Sequence, residues 1–155
     1  MTRMTEYTVV SRSARINATP EEIVPLLADL HRWREWSPWE DLDPELQRSY
    51  DGPESGVGAG YEWSGNRKAG AGRMQITGVT PGSVDLDVTF TKPFKSESRS
   101  VFRLTAVGDE TDVTWQMMTP KSLVTRIMGI FVKMDKMIGP DLEKGLTQLN
   151  RAAAA

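Results

Sequence analysis

Apolar residues recur at every second position through the middle of this chain. The runs VGAGYEWSG, GRMQITGV, SVDLDVTF, SESRSVFRLTAV and TDVTWQMM alternate in this way, which predicts strands with one apolar face. The inward set is Tyr61 and Trp63; Met74 and Ile76; Val84, Leu86, Val88 and Phe90; Phe102 and Leu104; and Val113, Trp115 and Met117. The opposite set is polar: Glu62, Arg73, Gln75, Asp85, Asp87, Arg103, Asp112, Thr114 and Gln116. Turn residues separate the runs, at Gly65-Asn66, Pro81-Gly82, Lys92-Pro93 and Gly108-Asp109. Such short connections predict antiparallel neighbours, and the alternation predicts one wet and one covered face. Glu6 to Asn17, rich in Tyr, Thr, Val and Ile, adds a first strand, and Leu46 to Tyr50 a short one after an acidic loop.

The period changes to three and four in two places. In TPEEIVPLLADL, Thr19 suits the N-cap, Pro20 the first helical position and Glu22 a capping box. Ile23, Leu26, Leu27 and Leu30 share a face, and Pro25 predicts a kink. Near the C-terminus, Leu123, Ile127, Ile130, Phe131, Met134, Ile138, Leu142, Leu146 and Leu149 mark a long amphipathic helix. Thirty residues would reach roughly 45 Å, overhanging one sheet, and Gly139-Pro140 predicts a kink or break. The order is strand, short helices, six strands, long helix: an α+β domain with a curved sheet around a terminal helix.

Composition narrows the function classes. A chain of 155 residues with 39% apolar and 26% charged residues is of ordinary globular make-up and predicts one domain. We assign residues 1–151 to it and read 152–155 as a frayed tail or a cloning remnant. A net charge of −2 without a basic block argues against nucleic acid. The absence of cysteine removes disulfides, thiol nucleophiles and Cys-based metal sites. His31 is the single histidine, so neither a metal site nor a catalytic triad is expected, and no cofactor is implied. No apolar run has the length of a signal peptide or membrane span, which predicts a cytoplasmic protein without stable membrane insertion.

The segments INATPEEIVPLLADLHRWREWSPWEDLDP, GVGAGYEWSGNRKAGAGRMQIT, TDVTWQM and MDKMIGPDLEKGLTQL together resemble the START-like (SRPBCC) superfamily, in its polyketide cyclase/dehydrase-like branch. The resemblance spans nearly the whole chain. It implies a helix-grip fold, a seven-stranded curved antiparallel sheet wrapped around a long C-terminal helix, with two short helices after the first strand. It also implies a deep cavity between sheet and helix, in which relatives hold lipids, polyketides, hormones or quinones.

The densest candidate chemistry is HRWREWSPWE, with Trp33, Trp36 and Trp39 inside seven residues. Two readings stand: the rings close the end of the core, or Trp36 and Trp39 wall a ligand cavity with indole N–H groups to spare. We expect Trp36 and Trp39 inward, Trp33 against the outer packing, and Glu35 and Glu40 in water. Gly56, Gly58 and Gly60 are followed by strand alternation, not by the helix a dinucleotide fingerprint needs, so they read as sheet bends or bulges. Glu62, Glu97 and Arg99 fall on the outer face, unless a bulge in the sixth strand turns Glu97 or Arg99 inward.

The expected function is binding or transport of a small hydrophobic molecule, lined by Trp36, Trp39, Trp63, Phe90, Trp115, Met117 and Phe131 and without catalytic residues. The alternatives are a polyketide cyclase/dehydratase-like enzyme, which needs an inward acid or base, and a module for a protein partner. Monomer and dimer both stay open.

Overall fold

The computed structural model describes residues 7–40, 42–67, 69–92, 95–120 and 130–154, with the side chains of Tyr7, Pro120 and residues 130–137 outside that description. Strand β1 (Tyr7–Ile16) leads to helix α1 (Pro20–Ala28) and a 3-10 helix (Leu30–Glu35). Six strands follow: β2 (Gln47–Asp51), β3 (Gly60–Ser64), β4 (Ala71–Thr80), β5 (Ser83–Lys92), β6 (Ser96–Val107) and β7 (Glu110–Pro120). Helix α2 (Ile130–Ala154) closes the chain. All strands pair antiparallel in the order β1-β7-β6-β5-β4-β3-β2. This is the α+β plan expected from the alternation, with β1 carried across to the edge beside β7.

Local chemistry sets the helix ends. The Glu22 carboxylate accepts from the Thr19 backbone N–H at 3.1 Å and from its hydroxyl at 3.0 Å, holding the start of α1. Helix α1 continues through the exposed Pro25, whose carbonyl accepts from the Asp29 N–H at 3.3 Å as the helix ends. Asp29 then caps the 3-10 helix by accepting from the His31 N–H at 3.0 Å.

Several expectations are corrected. Helix α2 runs unbroken through Gly139-Pro140, because Pro140 is exposed and Gly139 lies on the Arg12 guanidinium, where a side chain would collide. It also runs through Ala154, with Ala152 and Ala153 packed against the core. Leu123 and Ile127 lie outside the described residues. Gly56 and Gly58 take positive φ, +82° and +96°, in the β2–β3 connection and are not strand bulges. The register shifts fall in β4, at Ala71/Gly72 and Ile76/Gly78. The pairing of β6 is continuous, so Glu97 and Arg99 stay exposed.

Two contacts orient α2. The Asn17 N–H donates to Asn150 Oδ1 at 2.8 Å, and Arg12 Nε donates to Glu143 Oε1 at 3.2 Å. The helix therefore runs along β1 in the same direction as the strand. At about 1.5 Å per helical and 3.3 Å per strand residue, its 25 residues span roughly 37 Å against roughly 33 Å for the strand. Helix α2 lies chiefly on β1 and touches β7, α1 and the 3-10 helix, while α1 lies over β5 and β6.

At Gly145, an added Cβ would sit 2.6 Å from Trp115 Cζ3 and 3.0 Å from Pro38 Cδ. In an exposed helix, Gly→Ala gains about 1 kcal/mol. Here the buried indole cannot retreat, and overpacking costs about 1–3 kcal/mol. We predict that Gly145→Ala lowers stability in urea unfolding by about 1 kcal/mol, while the exposed Lys144→Ala stays within about 0.5 kcal/mol of the parent.

Candidate functional site

The sheet's concave face divides into two regions. The first is a closed aromatic cluster. Trp36 packs against Trp33, Trp115 and Phe102, with ring centroids 4.5, 5.5 and 5.8 Å away, and Trp39 sits 5.4 Å from Trp115. Trp33 and Trp36 are 2% and 1% exposed. Trp33 is thus a core residue, not the outer packing residue expected, because the tight 3-10 helix turns both rings toward β6 and β7. The indole N–H groups are engaged: Trp33 and Trp36 donate to the Leu27 and Leu26 carbonyls, both at 2.9 Å, and Trp115 to Ser100 Oγ at 2.7 Å. Trp39, half-buried, donates to Asp141 Oδ2 on α2 at 3.2 Å. No spare indole donor is left in this cluster.

The second region covers β2 to β5. A file of rings crosses it: His31 on Tyr50 at 4.0 Å, Tyr50 to Tyr61 at 5.1 Å, Tyr61 to Trp63 at 6.0 Å and Trp63 to Phe90 at 5.5 Å. Trp63 fits flat across β4 because residue 72 is glycine; a Cβ there would meet Trp63 Cη2 at 2.6 Å. Its N–H donates to the Ala69 carbonyl at 2.9 Å. Tyr50, Trp63 and Phe90 are only half-buried, and among the described residues neither helix lies broadly over β2, β3 and β4.

Register carries this face across the sheet in rows. Tyr50, Tyr61, Met74, Val88 and Ser98 form one row on β2 to β6; Thr119 and Thr8, paired with each other, continue it on β7 and β1. Next to it run Ile76, Leu86, Ser100, Met117 and Val10. The sequence candidates therefore fall into separate groups. Trp36, Trp39 and Trp115 gather in the closed cluster, Trp63 and Phe90 in the open region, and Met117 on a row between. The Phe131 side chain lies outside the described residues, as do those of Met134 and Met137.

Charge enters at one corner. Arg48 donates to Glu40 Oε2 through Nε at 2.9 Å and Nη2 at 2.7 Å. The Glu40 side chain is 9% exposed, so the expectation that it stands in water is corrected: the loop after Pro38 folds back over β2 and brings it to Arg48. Glu35 is exposed and pairs with Arg32 at 2.9 Å, as expected. Asp43 caps the turn at Asn66, accepting its N–H at 2.8 Å; Asp41 lies outside the described residues. Beside the Arg48 pair, burial first and the Glu40 charge second push the Tyr61 phenol well above the usual tyrosine value. The same two causes, in the same order, raise Tyr50.

Arg48, Tyr50, Ser98, Thr119 and Thr8 were not singled out from sequence as site residues. The period-two signal was present, since each lies an even number of positions from an inward residue. Polar residues on a predicted apolar face are the informative exceptions. Among the described residues no three His, Asp or Glu side chains gather to hold a metal.

A curved antiparallel sheet gripping one long helix, with a closed aromatic core and an open aromatic face, defines the class. The chain matches the family of polyketide cyclase/dehydrase and lipid transport proteins over residues 7–154, and it belongs to that family. Its structure is similar to protein CV1439 from Chromobacterium violaceum, at 12% identity and TM-score 0.67, over 96% of this chain and 98% of that one. It is similar to CalU16 from Micromonospora echinospora, at 15% identity and TM-score 0.58, over 94% and 81%. It is also similar to DynU16 of the dynemicin biosynthetic locus, at 15% identity and TM-score 0.61, over 93% and 46%. No match is found among curated proteins. No helix among the described residues is long and apolar enough to cross a membrane.

A tyrosine whose folded value is raised binds its proton more tightly folded than unfolded. Its stability contribution is complete below the unfolded value near about pH 10 and is lost as pH rises through the folded value. We predict that spectrophotometric titration finds Tyr61 still protonated when free tyrosine has ionised, and that unfolding accelerates above about pH 10. Glu40→Gln should lower the Tyr61 midpoint; an unchanged midpoint would assign the shift to burial alone.

Proposed function

We propose that this protein binds and carries a small, largely apolar molecule between the concave face and α2. The observation that carries this reading is the half-buried ring file of Tyr50, Trp63 and Phe90 on a face that the described helices leave largely uncovered. Trp63, Phe90 and Met117 form the wall, and Trp36 and Trp115 close its inner end. Trp39 stands at the rim against Asp141. Phe131 belongs to the helix side by sequence alone. Burying about 300 Å² of apolar ligand surface gains roughly 7 kcal/mol before ordering costs, enough for useful affinity without many polar contacts. The lipid-transport part of the family description agrees with this. A cytoplasmic location belongs to the same reading and rests on the sequence.

One observation favours a second reading, a cyclase/dehydratase-like enzyme. A carboxylate, a guanidinium and a phenol meet at Glu40, Arg48 and Tyr61, the group types that proton transfer on a polyketide-like substrate would use. If this holds, Glu40→Gln abolishes turnover while leaving binding intact. The carrier reading expects no turnover from either form.

Nile red fluorescence and native mass spectrometry test the carrier reading directly. We expect one saturable site. Trp63→Ala should weaken it about tenfold with little loss of stability. Trp36→Ala should cost roughly 3–5 kcal/mol and lower Tm by roughly 10 °C, because its ring is core. Absence of any bound probe in a folded, full-length sample would rule the site out.

A further inference from the structure

We infer, building on the carrier reading, that the site selects molecules whose polar end is an uncharged carbonyl oxygen, as in a ketone, ester or lactone, received by the hydroxyls of Thr8, Thr119 and Ser98. These side chains come from three adjacent strands and lie in one row of the concave face. They are 7%, 3% and 9% exposed. Ser98 Oγ and Thr119 Oγ1 are 3.3 Å apart and share one hydrogen bond. Thr8 Oγ1 is buried with no hydrogen-bond partner among the described residues.

A buried hydroxyl without a partner is costly, and valine would fill the same space on a strand without that cost. The hydroxyl is therefore explained by something it binds. The proton count specifies what. Two hydroxyls sharing one bond use one proton and leave one; Thr8 adds a second. Two free O–H donors match the two lone pairs of one carbonyl oxygen. Directly paired strand residues hold their Cβ atoms about 4.5–5.5 Å apart, so one oxygen can lie between Thr8 and its neighbour within reach of both.

The surroundings argue against a charged group. The neighbouring row carries Val10, Met117, Ser100 and Leu86, and Ser100 already holds the Trp115 indole. Arg12 lies four residues along β1 from Thr8, about 13 Å, and pairs with Glu143. Arg48 stands four strands from β6, about 19 Å, and pairs with Glu40. Among the described residues Arg12 and Arg48 are thus both distant and paired, so a carboxylate at the row would be desolvated without either of them, whereas a carbonyl needs only the hydroxyls. The ligand's apolar body would then extend over Val88 and Met74 toward Trp63 and Phe90.

The test is displacement of Nile red from the full chain by a methyl ketone, a carboxylate and an alkane of equal chain length, at a pH where the acid is ionised. The ketone should displace at about tenfold lower concentration than either, equivalent to ~1.4 kcal/mol. Thr8→Val and Ser98→Ala should each erode that preference while leaving the alkane's affinity unchanged. Thr8→Ser should retain the preference, and Thr8→Val should raise the Tm of the free protein. Equal displacement by all three probes, or a preference that survives in the Thr8→Val, Ser98→Ala double variant, overturns the inference and leaves the carrier reading standing. Failure of every probe and of Nile red to bind overturns the carrier reading itself.

Discussion

The docking of the Trp33–Trp36 pair onto Trp115 and Phe102 organises the rest of the molecule. Each aromatic ring buries on the order of 150–250 Å², so the quartet is the largest apolar payload in one place. It can sit there only because each indole N–H finds an acceptor close by, in a backbone carbonyl of α1 or in Ser100. Those bonds fix the rings, and the rings fix the distance between the 3-10 helix and the sheet. Helix α2 then completes the packing through Gly145, which admits Trp115 and Pro38 to its backbone. A larger residue on that turn of the helix would push α2 off the sheet.

Concentrating the packing at one end leaves the other end of the face for different work. The Ile16 end of β1 meets Leu149 and its neighbours in the core. Toward β2 to β5 the rings are half-buried, and the row behind them turns from apolar to hydroxyl. Such a division lets a domain of this size keep a stable core and a receptive surface on one sheet. The loop after Trp36 joins the two regions: Pro38 lies on α2, Trp39 bonds Asp141, Glu40 holds Arg48 and Asp43 caps the turn at Asn66. Motion in this segment would be felt at both.

The strand count, the antiparallel order and the inward apolar set were legible because period-two alternation is a local property and one face is buried throughout. The capping box at Thr19 was legible for the same reason. The paths of α2 and of the tryptophan loop were not. Gly139-Pro140 carries the local signature of a break, yet the exposed face of the helix absorbs the proline while the glycine accepts Arg12. Glu40 reads as a loop carboxylate until a chain reversal, invisible to periodicity, sets it against Arg48.

Sequence alone thus determined the elements, their faces and the class of fold, since all three follow from which residues must leave water. It also showed that five indoles had to be housed. Tertiary structure alone decided which of them are core and which border an open face, because that depends on residues far apart in the chain. Trp36 is closed in by Phe102 and Trp115, whereas Trp63 is half-open because the described helices lie elsewhere. The same holds for the three hydroxyls of Thr8, Thr119 and Ser98. Each is unremarked in its own strand, and the three come together only when three strands pair in register.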